Sequence, residues 1–382
     1  MRTKILFATL IVIAAAICLR LALHKPQASG TPGAAGSSYD AYVYGRGDAA
    51  KIVDVGTQPL GTPATFVTEC LFHDRVLRQQ LAAAGWQLRE HGFRNGYDML
   101  PYLDGRLDVL VQGDIPALIA MQQRRVEIIA VCSLGYNAIV ANHTVTPSEL
   151  KGQRVGYPVG TASHFALERT LQSAGLTMKD IVSVPLQPQE MEAALLSHRV
   201  EAVAVWEPLV SAILTHVPGS AIISKSDTYT FITASLDFAT RHPAILKPVL
   251  AAILRAARWG RQDEENLRLN LRWDRQATLR FAGDSDVEPT AKWISRLRQD
   301  TIDNPSFPML PLNFCEAGSL HHQQFEFLKK IGSVPASAEW QEVCRRVDTQ
   351  LLPEVIGESQ TWQIDRFDYA PDKLYPDKER AP

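Results

Sequence analysis

From Lys51 onward the chain alternates short apolar runs with amphipathic ones, and the switches between them fall on glycine, proline and hydroxyl residues. KIVDVG reads as a buried strand, and LFHDRVLRQQLAAAG, Leu71 to Gly85, reads as a helix stopped by a glycine. WQLREHGF follows as a strand, GYDMLPYLDG as a short helix, LDVLVQGD as a strand and IPALIAMQQ as a helix. VEIIAVCSL and NAIVANH then read as two further strands. Alternation of this kind restricts the chain to an α/β architecture with a largely parallel sheet, because parallel neighbours need a long crossover between them.

A second series begins after TVTPSELKG: strand QRVGYP, a helix through HFALERTLQSAG, strand IVSVPL, helix PQEMEAALLSH and strand VEAVAVW. Two similar α/β lobes are the simplest reading, and 382 residues are enough to build them. Beyond Leu236 the pattern turns helical, in DFATRHPAILKPVLAAILRAARWG, AKWISRLRQDTI and LHHQQFEFLKKIG, a tail expected to pack on the first lobe. The stretch from Gln363, rich in Asp, Pro and Lys, is expected to fray. The expected organisation is a signal peptide or membrane anchor over 1–24, a flexible linker over 25–49 and the first part of one lobe over 50–135. The second lobe then takes 136–232, completion of the first lobe with its helices 233–350, and a C-terminal extension 351–382.

Arg2 and Lys4 precede an apolar run from Ile5 to Leu19, interrupted only by Thr9, the pattern of an export signal. Counting on to Leu23 makes an uncleaved anchor an alternative, and the leading charges place the bulk of the chain outside the cytoplasm. The expected location is the periplasm, with or without a tether to the inner membrane. In such an oxidising compartment Cys315 and Cys344 are the pair to test for a disulfide, while Cys70 and Cys132 read as buried free thiols. No zinc-ligand spacing is present, and a formal net charge of −2 offers no basic field for nucleic acid. P-loop, dinucleotide, nucleophile-elbow and zincin motifs are all missing, so no catalytic residue, cofactor or metal is expected. His321-His322 reads as a solvated helix face, and Asp284-Ser285-Asp286 lacks the remaining ligands of a calcium loop.

The chemistry lies in the turns. Gly160-Thr161-Ala162-Ser163-His164 breaks a strand and opens a helix, with Thr161 as the natural N-cap. A helix start offers unpartnered N–H groups and partial positive charge, so such a turn is either a plain cap or the floor of an anion site. Asn95-Gly96-Tyr97 and Gly113-Asp114-Ile115-Pro116 repeat the construction. In open α/β sheets these strand-to-helix turns gather where ligands bind, which suggests one cleft between two lobes. Asp114 would repel an anion and is expected to cap its helix or meet an amine or hydroxyl on the ligand. Trp206 and Glu207 end VEAVAVW, Gln58, Gly61 and Thr62 follow the first strand, and Tyr136 stands near the crossing between lobes.

ELKGQRVGYPVGTASHFALERTLQSAGL, VEAVAVWEPLVSAIL and LDVLVQGDIPALIAM together resemble the solute-binding proteins of bacterial ABC importers, in the family that handles alkanesulfonates, taurine, nitrate and thiamine precursors. The likeness runs from about Lys51 to Phe238 and implies a two-lobed type II periplasmic-binding-protein fold with a hinge. It further implies a monomer that closes on a small ligand and docks on ABC permease subunits in the membrane. By the same resemblance Thr161, Ser163 and His164 would line a sulfonate site, Gly113, Asp114 and Ile115 would face it, and Trp206 and Glu207 would close it. Ala162 and Asn95 stand where that branch has hydroxyl residues, which leaves the ligand more open than the fold. The rival readings are a tethered ligand sensor, a binder of a thiamine-precursor heterocycle, and an enzyme like the thiamine-pyrimidine synthases, whose cysteine-rich motif is missing here.

Overall fold

The computed structural model describes residues 51–60, 62–283, 289–304 and 307–374. The N-terminal signal, the linker, Gly61 and the 284–286 triplet lie outside the described residues. The strands are β1 Lys51–Thr57, β2 Trp86–Gly92, β3 Val109–Gly113, β4 Val126–Ala141, β5 Arg154–Tyr157, β6 Val182–Pro185, β7 Ala202–Trp206 and β8 Ala221–Ser235. They form one eight-stranded sheet in the order β2-β1-β3-β8-β4-β7-β5-β6.

Its two wings are parallel, β1 lying between β2 and β3, and β5 between β6 and β7. Its centre is not. β4 and β8 run antiparallel from Val126↔Ser235 to Ala141↔Ala221, and each also pairs antiparallel with the wing beside it. The expected pair of strands around Gly135 is therefore one 16-residue strand, since Leu134, Gly135 and Tyr136 keep pairing with Tyr229, Thr228 and Asp227. Its partner AIISKSDTYTFITAS was not foreseen as a strand. This ribbon links two lobes with separate cores, one on the β1–β3 wing and two on opposite faces of the β5–β7 wing.

The helices are α1 Pro63–His73, α2 Arg75–Ala83, α3 Asp114–Gln122, α4 Ala162–Ser173, α5 Met191–Leu196, α6 Leu209–His216, α7 Leu236–Arg241 and α8 Pro243–Gln262. After them come α9 Glu264–Ala282, α10 Thr290–Leu297, α11 Leu320–Lys330, α12 Trp340–Cys344, α13 Leu351–Gly357 and α14 Ser359–Trp362. The helix expected from Leu71 starts at Pro63 and breaks at Asp74, whose carboxylate accepts Leu77 N–H to cap α2 and takes Arg255 Nε at 2.7 Å. The helix expected through DFATRHPAIL breaks at His242, because the residue before a proline is driven out of the α region.

From Gln363 to Leu374 the C-terminal stretch is packed, not frayed, and the residues after it lie outside the described ones. Ile364 is fully buried, Ala370 N–H donates to His73 O, and Trp273 Nε1 donates to Pro371 O at 3.0 Å. Lys373 closes the strap, with Nζ 2.9 Å from Glu69 Oε1 and 2.6 Å from Glu90 Oε2. The charges that look solvated in sequence are matched by carboxylates about three hundred residues away. As expected, Cys315 and Cys344 form a disulfide with Cα atoms 5.6 Å apart, and Cys70 and Cys132 are free and buried. Among the described residues no helix is long and apolar enough to cross a membrane.

Candidate functional site

The first lobe brings its turns together at the carboxyl ends of β1 and β3. Gln58, just past β1, donates from Nε2 to Val111 O at 2.9 Å, and Thr62 leads into α1 with its N–H on Thr65 Oγ1. Asn95 caps the 3-10 turn Gly96–Tyr102, its Oδ1 accepting from Tyr97 N–H at 2.9 Å and Asp98 N–H at 3.1 Å. Gly96 is dictated by space, since a Cβ there would stand 2.8 Å from Pro116 Cγ and 2.9 Å from Gln112 Cβ. The turn can lie on α3 only because that side chain is missing.

Gly113 ends β3 and N-caps α3; Asp114 and Ile115 behind it are buried. The Asp114 carboxylate meets hydroxyl and amide donors of this chain itself. Oδ1 accepts Ile115 N–H at 2.8 Å, and Oδ2 accepts Thr228 Oγ1 at 3.0 Å, Tyr229 N–H at 3.2 Å and Gln324 Nε2 at 2.5 Å. Burial pushes its pKa above the usual carboxylate value, and these four donors hold it back.

The second lobe supplies the glycine turn. Gly160 adopts a φ of +81°, Thr161 Oγ1 accepts His164 N–H at 3.3 Å and donates to Pro158 O at 2.7 Å, and α4 begins at Ala162. The side chains of Ser163 and His164 turn into the lobe. Ser163 Oγ donates to Asn137 Oδ1 at 2.7 Å, while His164 Nδ1 accepts Gly160 N–H at 3.2 Å and its ring lies 4.6 Å from Tyr157. Desolvation first, with Lys330 adding to it against Glu168, keeps the His164 pKa below its ordinary value. This turn thus has the backbone of a helix start, with the two side chains bracing it from within the lobe.

At the end of β7, Trp206 is half-buried beside Asn137 of β4. Glu207 Oε1 accepts the Tyr136 hydroxyl at 3.0 Å and Ser211 Oγ at 3.1 Å, and Oε2 accepts Ser211 N–H at 3.1 Å. Lys225 Nζ sits 3.7 Å from the centre of the Tyr136 ring. The lobes meet directly at the two glycine turns, where Tyr97 donates its hydroxyl to Gly160 O at 2.6 Å. In sequence Tyr97 reads only as part of a helix start; an aromatic hydroxyl at a turn carries no sign of which lobe it will reach.

His321 corrects the expectation of a solvated histidine pair. Only 2 % exposed, it lies 4.2 Å from the Phe314 ring, 4.9 Å from Tyr229 and 5.3 Å from Phe231, while His322 Nδ1 accepts Gly318 N–H. Desolvation pushes the His321 pKa down to about 3. The folded state thus keeps the ring neutral while an unfolded chain protonates it near pH 6.5. Its stabilising effect is complete above that pH and is lost as the pH falls toward about 3, at about 1.4 kcal/mol per pH unit. Melting temperature measured from pH 7 to 4 is expected to fall less steeply in His321→Gln than in the wild type; parallel slopes would contradict the buried neutral ring.

Two wings of parallel strands joined by a crossed-over ribbon, with turns of both wings in contact, give the fold seen in two-lobed periplasmic binding proteins. Within it, residues 108–272 match the model of the NMT1-like family. The chain is 30% identical over 192 residues to a protein of Escherichia coli (strain K12) provisionally named as aliphatic sulfonates-binding, covering 45% of this chain and 57% of that one. Against a binding protein of Brucella abortus (strain 2308) the identity is 28% over 138 residues, 34% of this chain and 43% of that one. The chain thus matches less than half the length of that relative. Among solved structures, the periplasmic aliphatic sulphonate binding protein SsuA from Escherichia coli superposes with a TM-score of 0.61 at 21% identity, covering 80% of this chain and 99% of that one. The desulfurization enzyme DszB also shares the fold, at a TM-score of 0.54 and 14% identity, covering 81% of this chain and 99% of the enzyme.

Proposed function

We propose that this chain is the extracytoplasmic solute-binding component of an ABC importer, capturing a small organosulfonate or similar oxyanion between its lobes and carrying it to permease subunits. The observation behind this is the Tyr97–Gly160 contact, which joins a turn of the first lobe to a helix start of the second. An oxyanion in that cleft would be held by the N–H groups at the start of α4, which have no acceptor within the helix, and by its dipole. Trp206 and Tyr136 would shelter the organic part. No covalent step is required, and the ribbon of β4 and β8 is where a hinge would bend. Taken with the export signal, the reading places the protein in the periplasm, with a tether if the N-terminal segment is retained.

Thermal-shift screening of the chain from about Tyr39 onward, against alkanesulfonates, taurine, nitrate and thiamine-precursor heterocycles, tests the proposal. One sulfonate should raise the melting temperature selectively, since a ligand stabilises only the state it binds. Tyr97→Phe should weaken that ligand several-fold by calorimetry while leaving the unliganded melt within a degree or two. A shift with a neutral heterocycle alone would remove the oxyanion and leave a two-lobed receptor for another solute.

A further inference from the structure

We propose that the segment 315–344, closed on itself by its disulfide, is a latch between the lobes, and that reducing the disulfide loosens the closed state and weakens ligand binding. The inference rests on the solute-binding reading above. Within the segment, α11 engages both lobes. Toward the first, Gln324 Nε2 donates to Asp114 Oδ2 at 2.5 Å. Toward the second, Phe327 meets the His164 ring edge-on at 5.0 Å and the Phe165 ring at 5.6 Å, and Lys330 Nζ reaches Glu168 Oε2 at 2.7 Å. Positions 324, 327 and 330 advance in steps of three, so neighbouring contacts on this short helix pass from one lobe to the other across the cleft.

The N-terminal half of α11 is fastened by the disulfide and what surrounds it. Trp340 Nε1 donates to Cys315 O at 3.1 Å, and the Trp340 ring packs on Phe314 at 5.8 Å and Phe325 at 5.4 Å. With a sequence separation of 29, the bond closes a loop and limits how far its two ends can separate when the Trp340 contacts open. It is also reachable, since Cys315 is exposed and Cys344 half-buried, whereas Cys70 and Cys132 are sealed in the core. Exposed disulfides are the labile ones. A thiolate of a dithiol reductant attacks one sulfur, the S–S bond breaks to a mixed disulfide, and the second thiolate displaces the protein sulfur. The chain gains two electrons and two protons as two thiols, and the reductant leaves as its own disulfide.

The test uses the full-length chain in oxidised form and after treatment with dithiothreitol, measuring its radius of gyration by small-angle scattering without ligand and its affinity for propane-1-sulfonate by calorimetry. Reduction is expected to raise the radius and weaken binding threefold or more, and Cys315→Ser with Cys344→Ser should do the same. Because loss of the disulfide can also destabilise the fold, a charge exchange supplies an independent arm. Lys330→Glu should weaken binding about two- to five-fold, the reach of an exposed ion pair, and adding Glu168→Lys should restore it. Equal scattering and affinity in both redox states, or no rescue by the exchange, would overturn the latch. Redox-dependent scattering with no sulfonate bound supports the latch and overturns the ligand reading alone.

Discussion

Asp114→Ala is expected to lower the unfolding free energy by about 3 kcal/mol or more and to loosen the site with it. The carboxylate collects four donors: the start of its own helix, the hydroxyl of Thr228 and amide of Tyr229 in the middle of β8, and the Gln324 side chain of α11. Alanine would leave those donors facing an apolar gap, and a buried donor without an acceptor costs roughly 1–3 kcal/mol. Asp114→Asn keeps one oxygen but turns an NH2 toward donors, so it should lose a large share of the same stability. Urea unfolding with the midpoint lowered and the slope unchanged is the expected record. A variant as stable as the wild type would mean that the carboxylate is not the knot joining α3, β8 and α11.

The second large effect is expected at Lys373→Ala. Its ammonium lies between Glu69 and Glu90; burial alone would depress its pKa, but the two carboxylates raise it above the ordinary lysine value. Removing one member of a buried ionic cluster leaves the others charged in the interior, a loss of about 3–5 kcal/mol. Glu90, which also accepts the Thr57 hydroxyl at the end of β1, is held below its usual pKa against burial by Lys373. Without the lysine, Glu90 should protonate more readily, so the deficit should shrink from pH 7 to pH 5. A double-mutant cycle with Glu69→Gln measures the coupling; additive losses would place the strap's stability elsewhere.

What the sequence made legible is what local rules govern. Apolar runs, glycine stops and cap residues such as Thr161 and Asn95 write the strand-to-helix turns within a few positions, and those turns lie at the carboxyl ends of the wing strands. β8 escaped because its environment changes along its length, half-exposed from Ala221 to Thr230 and buried from Phe231 to Ser235, so neither periodicity persists. The strap escaped because Lys373 finds Glu90 at a separation of 283 residues. At the site, the capping role of Thr161 is readable in sequence, whereas the inward turn of Ser163 and His164 depends on Asn137, Tyr157 and Phe327. Gly96 reads in sequence as part of a helix start, and the structural reason for it is the approach of Pro116.

The same long-range strap has a consequence for how the chain is made. The second lobe lies in one uninterrupted stretch between the two halves of the ribbon, so all its strands are available once Asp227 has been synthesised. The first lobe is assembled from both sides of that insert, and His73 at one end meets Ala370 at the other across 297 positions. A chain emerging from its N-terminus therefore holds the first lobe incomplete until the segment around Ala370 has been made.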